Sequence, residues 1–291
     1  MSAQVRSVPR RSSRAQESMT SRVAVTGLLA LSAVYFLFPL WWLFVAATKP
    51  FGQQFSGNGL WFQGFSLFSN IHRLSVEDGG IFWRWMLNSL IYCGLGALIG
   101  TTLSSMTGYA LAKYRFTGRN ALFGLILAAV LLPQILFTLP LYLMFSRVGL
   151  VGNPLAVLLP SVVSPFGVYL ARVFAAQAVP DEVVEAGRLD GAGELRIFGT
   201  LATRMMMPAL VTIFLFQFVS IWNNYLLPSM VLGSDSTQPV TVGLVGWNAS
   251  HVDVAPAYVV VGSFVSIIPL IVAFVALQRF WRSGMTAGAL K

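Results

Sequence analysis

The acidic side chains of this chain are few, and half of them stand together. Asp181, Glu182, Glu185, Asp190 and Glu194 fall within VPDEVVEAGRLDGAGELRIFGT, residues 179–200, and they are five of ten; no acidic residue lies between Asp78 and Asp181. Carboxylates at that density can bind a metal, work as acid and base, or pair with cations on another surface. The first two chemistries lack their usual companions. His72 and His251 are far apart and form no HExxH spacing, and the single cysteine, Cys93, sits in an apolar run with no second thiol to join it. A phosphate loop of the form G-x-x-x-x-G-K is missing too, because the glycine-rich turn DGAG, residues 190–193, is not followed by lysine. The sequence thus offers no catalytic residue, no metal ligand set and no cofactor site of its own. Pairing with another surface, or simple solvation, remains as the work of the carboxylates.

The rest of the chain suits a bilayer. Of 291 residues, 56% are hydrophobic and 10% charged, and the mean hydropathy is +0.73, whereas soluble domains carry about 25% charge. A net charge of +9 does not imply nucleic acid, since basic nucleic-acid surfaces need no membrane-length apolar runs. Such runs occur at 23–47, 85–112, 119–145, 152–178, 206–232 and 256–280. The first follows basic residues as a secretory signal does, but it exceeds the roughly 7–15 residues of a signal core and is read as a retained span. Six spans place both termini on one side. That side collects all of the nineteen Lys and Arg except Lys49, Arg73, Arg84 and Arg147, so the termini and the acidic island are expected in the cytoplasm. The expected fold is all-α and polytopic: a flexible basic tail over 1–22, six transmembrane helices over 23–282, and a short cytoplasmic tail over 283–291.

Ion-coupled transporters place ionisable residues inside the membrane, where they are costly and functional. These spans hold no Asp, Glu, Lys or His away from their ends, so driving energy is expected from another subunit. No filter-like glycine loop supports an ion channel. Pro133, Pro140, Pro160, Pro165, Pro208, Pro228 and Pro269 instead predict kinked spans, and Gly96 with Gly100 forms a GxxxG pair for close helix packing.

The island itself reads as two short helices. Pro180 precedes DEVVEAG, so a helix can start at Asp181, whose carboxylate can cap free amides while Glu182 and Glu185 favour the positive end of the dipole. Gly191 stands where a left-handed residue would end it. Leu195, Phe198, Leu201 and Ala202 then give one apolar stripe to a second helix over 194–203. Ala186 and Gly187 beside Glu185 leave room for another backbone, the shape of a docking knob.

EAGRLDGA, with Pro208 beyond it, resembles the EAA motif of the transmembrane subunits of binding-protein-dependent ABC importers. Glu185, Ala186, Gly187 and Gly191 match the motif, although Gly187 stands where the family usually has alanine, and Arg204 where many relatives have a first proline. The stretches 88–123, 131–150, WNNYLLPSMVL (222–232) and the ending GMTAGALK (284–291) are similar to the carbohydrate branch of these permeases, in particular the second permease subunit of the maltose and glycerol-phosphate type. The resemblance implies the type I permease fold, with a coupling loop over 180–204 that seats Glu185, Ala186, Gly187, Asp190 and Gly191 on an ATPase subunit. It implies that Thr286, Ala287 and Gly288 reach toward the ATPase, and that Trp222, Asn223, Asn224 and Tyr225 lie near a sugar path. The implied partners are a second homologous permease, two ATP-binding subunits that hold ATP and Mg, an extracytoplasmic substrate-binding protein and the bilayer of a bacterial-type cytoplasmic (inner) membrane, with no nucleic acid. A disaccharide or oligosaccharide is the expected cargo, and a glycerol-phosphate compound the near alternative.

Overall fold

The computed structural model describes residues 19–250 and 255–288. His251 and the outer parts of both expected tails lie outside the described residues. Within them the chain is helical and contains no strand. The helices are α1 (Met19–Thr48), α2 (Leu67–Val76), α3 (Ile81–Lys113), α4 (Arg119–Leu131), α5 (Thr138–Arg147), α6 (Leu155–Ser161), α7 (Pro165–Ala178), α8 (Asp181–Leu189), α9 (Glu194–Ile197), α10 (Thr203–Met205), α11 (Met207–Trp222), α12 (Leu226–Val231), α13 (Val240–Ser250) and α14 (Ala255–Gly288). A π-helical turn, Phe198–Ala202, joins α9 to α10.

Among the described residues, four helical stretches are long and apolar enough to cross a membrane: Ser21–Thr48, Leu67–Lys113, Leu155–Ala178 and Pro256–Phe280. Two bent pairs are further candidates, Arg119–Leu131 with Gln134–Arg147 at 98°, and Glu194–Met205 with Met207–Trp222 at 84°. The expected third span, 119–145, is therefore broken rather than straight. Pro133 has no N–H to continue α4, and it biases Leu132 toward the extended conformation found there (φ −81°, ψ 127°). The expected fifth span, 206–232, is likewise two helices, α11 and α12, parted at residues 223–225. Pro228 could not have donated to the Asn224 carbonyl in a continuous helix, and that carbonyl accepts from Thr241 Oγ1 at 3.4 Å instead. One apolar helix, α13, was absent from the expected spans; at 11 residues it is too short to cross.

α3 is the central helix, packed along α7 and α11 and touching α6 and α13. At its first turns, Trp85 Nε1 donates to Asp235 O (2.8 Å), Asn88 Nδ2 to Ser236 O and Gln238 O (both 2.9 Å), and Tyr92 OH to Thr237 O (2.7 Å). These bonds satisfy the backbone of the loop before α13. At the same end, Asp78 accepts from Trp247 Nε1 at 2.8 Å and Glu77 accepts from Tyr258 OH at 2.5 Å, tying the turn before α3 to α13 and α14. The main apolar core, with Phe82, Trp85, Met86, Phe218 and Trp222, fills this half. A second core, with Tyr109, Ala171, Val184, Ile197 and Met206, fills the half nearer the acidic island.

Candidate functional site

The island folds as two short helices meeting at a corner, as the residues predict. α8 ends in a two-bond motif: Ala192 N–H donates to Gly187 O and Gly191 N–H to Arg188 O, both at 3.0 Å. That pattern requires a left-handed residue between them, and Gly191 has φ +76°. The expected N-terminal cap is different. Pro180 occupies the cap position with no side-chain bond, and Asp181 does not cap: its Oδ1 lies 2.6 Å from Lys113 Nζ. A nearby buried ammonium out-competes backbone amides for the carboxylate, because a charge-assisted bond is the stronger one.

The five carboxylates divide into two sets. Asp181 pairs with Lys113 at the end of α3, and Glu194 accepts from Tyr114 OH (2.6 Å), Arg188 Nε (2.6 Å) and Arg188 Nη2 (3.4 Å). Adjacent residues at the C-terminal end of α3, Lys113 and the cap residue Tyr114, thus hold the starts of both α8 and α9, and Arg188 ties the end of α8 to α9. The bond from Lys113 holds the Asp181 carboxyl below its ordinary range, and the bonds from Arg188 and then Tyr114 do the same for Glu194. Burial, with the Glu194 bond, pushes the Tyr114 phenol up to about 12. Glu182, Glu185 and Asp190 form the second set. Among the described residues they make no ion pair or side-chain hydrogen bond, and all three are exposed.

Packing orients this knob. Val184 and Gly187, three apart on α8, face inward. Val184 and Ile197 are buried to 4% and 1% exposure, a contribution of about 1.5–3 kcal/mol for each such side chain, against about 0–1 kcal/mol for an exposed ion pair. Apolar contact therefore seats α8 on α9, and the charges direct it. Gly187 does not leave room for a foreign backbone, because its own chain fills that space: a Cβ there would lie 3.1 Å from Ile197 Cγ1 and 3.3 Å from Leu201 Cδ1. The outward face is the stripe Glu182, Glu185, Ala186, Leu189, at i, i+3, i+4 and i+7, all exposed. Leu189 is 89% exposed, and Leu195, expected in the apolar stripe of the second helix, is 75% exposed across the corner.

The four residues expected near a sugar path are not brought to one face. Trp222 is buried in the main core, stacked on Phe218 with ring centroids 5.9 Å apart, so it offers no free ring. Asn223 is exposed but turns its Nδ2 back onto Val219 O at 2.9 Å. Asn224 is half-buried, and only Tyr225, 41% exposed, presents an open aromatic ring. Thr286, Ala287 and Gly288 lie in the last turns of α14, which runs through the expected tail boundary without a break. Lys113, Tyr114 and Arg188 complete the clamp, and nothing marks them in the sequence beyond their places, Lys113 and Tyr114 at the end of a span and Arg188 within the island.

Comparison with known proteins agrees with this architecture. The family model described as binding-protein-dependent transport system inner membrane component matches residues 100–285. The arabinooligosaccharides transport system permease protein AraQ of Halalkalibacterium halodurans is 32% identical over 90% of this chain and 94% of its own. The lactose transport system permease protein LacG of Rhizobium radiobacter is 29% identical over 89% and 92%. A solved chain from a bacterial ABC transporter involved in the import of the acidic polysaccharide alginate shares the fold, with a TM-score of 0.75 at 23% identity over 91% of this chain and 98% of that one. The chain is a member of the family of binding-protein-dependent transport system inner membrane components, a multi-pass protein of the cytoplasmic membrane.

Proposed function

We propose that this chain is a non-catalytic permease subunit of an ATP-driven importer for a disaccharide or oligosaccharide, and that its α8–α9 corner is the surface through which ATP hydrolysis is coupled to transport. The observation that carries the reading is the division of the carboxylates. Two are consumed in fixing the corner to α3, while Glu185 is left unpaired beside the exposed Leu189 on the outward stripe. A charge and an apolar side chain held outward on a rigid corner form a docking surface, and a solvated connector needs neither the clamp nor the exposed leucine. In this reading the two broken segments 119–145 and 206–232 complete six spans. The α8 end, with Lys113, Arg115, Arg119, Arg188, Arg196 and Arg204, faces the cytoplasm together with both termini. A second homologous permease completes the path, two ATP-binding subunits hold ATP and Mg, and an extracytoplasmic binding protein delivers the sugar. The relatives named for arabinooligosaccharides and lactose favour such a cargo.

The test is uptake into vesicles that contain the assembled complex, with a panel of labelled oligosaccharides and glycerol phosphate. Uptake of an oligosaccharide that requires ATP and ignores proton uncouplers is expected. Uptake abolished by uncouplers at constant ATP would make the chain an ion-coupled transporter, and uptake of glycerol phosphate alone would replace the sugar.

A further inference from the structure

Gln217 is an amide buried to 6% exposure within α11, and it crosses to another helix. Its Nε2 donates to the carbonyl of Ser161 at 2.7 Å, at the last residue of α6. In an unbroken helix that carbonyl would accept from the N–H of residue 165. Residue 165 is proline and has none. The side chain of Gln217 therefore supplies, from a different helix, the donor that the break between α6 and α7 removes. Backbone carbonyls at membrane depth require such a partner, since no water replaces it.

The surroundings are shaped for this bond. Gly100 on α3 lies against the amide so closely that a Cβ there would fall 2.0 Å from Gln217 Nε2. Ser164 caps α7, its Oγ accepting from Gly167 N–H at 3.1 Å, and Ser104 on α3 approaches the Ser164 carbonyl at 3.4 Å. The break at 162–164 is thus held from α11 through a notch in α3. Gln217 Oε1 has no partner among the described residues. α7 leads from this break to the island, since only Val179 and Pro180 separate its far end from α8.

We infer that Gln217 is a positioning residue for transport: its amide fixes the angle between α6 and α7, so that movement of α8 is passed through α7 to α6 instead of being absorbed at the break. This inference rests on the coupling role proposed for α8, and its structural half can be read without transport. Spin labels at Leu155→Cys on α6 and Ala176→Cys on α7, in a chain with Cys93→Ala, report the distance across the break. The parent chain in the assembled complex is expected to give one narrow distribution. Gln217→Leu, close in volume and without a donor, is expected to broaden or shift it and to lower sugar imported per ATP hydrolysed several-fold. Pro165→Ala combined with Gln217→Leu restores an N–H at residue 165, and is expected to return a single narrow distribution at a changed distance, with transport still impaired because the angle is wrong. An unchanged distribution in Gln217→Leu would overturn the inference, as would a broad one that Pro165→Ala fails to narrow. A changed distribution with unchanged import per ATP would overturn the positioning role. Failure of the coupling reading would show separately, as a parent complex whose sugar uptake does not depend on ATP.

Discussion

At the scale of single residues, charge is used in two ways in the α8–α9 corner. Asp181 and Glu194 are bound to α3 and α8, and each has its carboxyl held below the ordinary range by those bonds. A carboxyl depressed in the folded protein stabilises it fully above its unfolded value, and the stabilisation is lost as pH falls through the lowered value. The corner should therefore stay fixed from neutrality down to about pH 4 and loosen only below, where carboxylates take up protons even when paired. A spin label at Leu189→Cys reads this as constant mobility above that pH and rising mobility beneath it; Asp181→Asn should raise the mobility already at neutral pH. Lys113 makes the second effect large for a surface pair, because its side chain is 7% exposed and would be left a buried cation with no carboxylate.

Elements show what the sequence can and cannot announce. The Gly191 corner was legible because a glycine after a polar, periodic run has one dominant structural use, and the bond pattern around it leaves no alternative. Gly191→Val tests that element: a β-branched residue at φ +76° costs about 1–3 kcal/mol. Uptake and recovery of the ATPase with the complex should both fall, while membrane insertion, read from protease protection of the spans, should not change. The breaks in the third and fifth spans were legible only as prolines, since a proline marks where a donor is lost and not whether neighbours allow the helix to continue. α13 was missed because its 11 residues fall short of a crossing. Asp181 was misread as a cap because its partner, Lys113, is 68 residues away, beyond the reach of local patterns. The burial of Trp222 could not be read locally, because it depends on Phe218 and the α3 aromatics across the bundle. Gln217 carries no charge, and so it escapes the rule that singles out ionisable residues within spans.

In the whole molecule, one helix joins two ends: α3 carries the clamp for α8 and α9 at Lys113 and its cap residue Tyr114, and holds the loop before α13 through Trp85, Asn88 and Tyr92. This connection gives the proposed coupling a route along the molecule. The end of α14 is a second expected contact with the ATPase. Deleting Met285 to Lys291 touches no apolar run and should leave the spans inserted, but it should reduce ATPase recovery or ATP-dependent uptake; normal values of both would make the segment dispensable. The central claim is that α8 docks through its outward stripe. It is tested most directly by ATP-dependent sugar uptake in vesicles containing complexes of matched composition, comparing Glu185→Lys with Glu182→Lys. Removing one partner of a desolvated charge pair costs about 2–5 kcal/mol. Uptake by Glu185→Lys should therefore fall by more than about tenfold, with expression and insertion unchanged, and Glu182→Lys, one turn nearer the helix start, should lose less. Normal uptake by Glu185→Lys in a normally assembled complex would contradict the account, and the carboxylates of α8 would then serve only to keep a connecting loop in water.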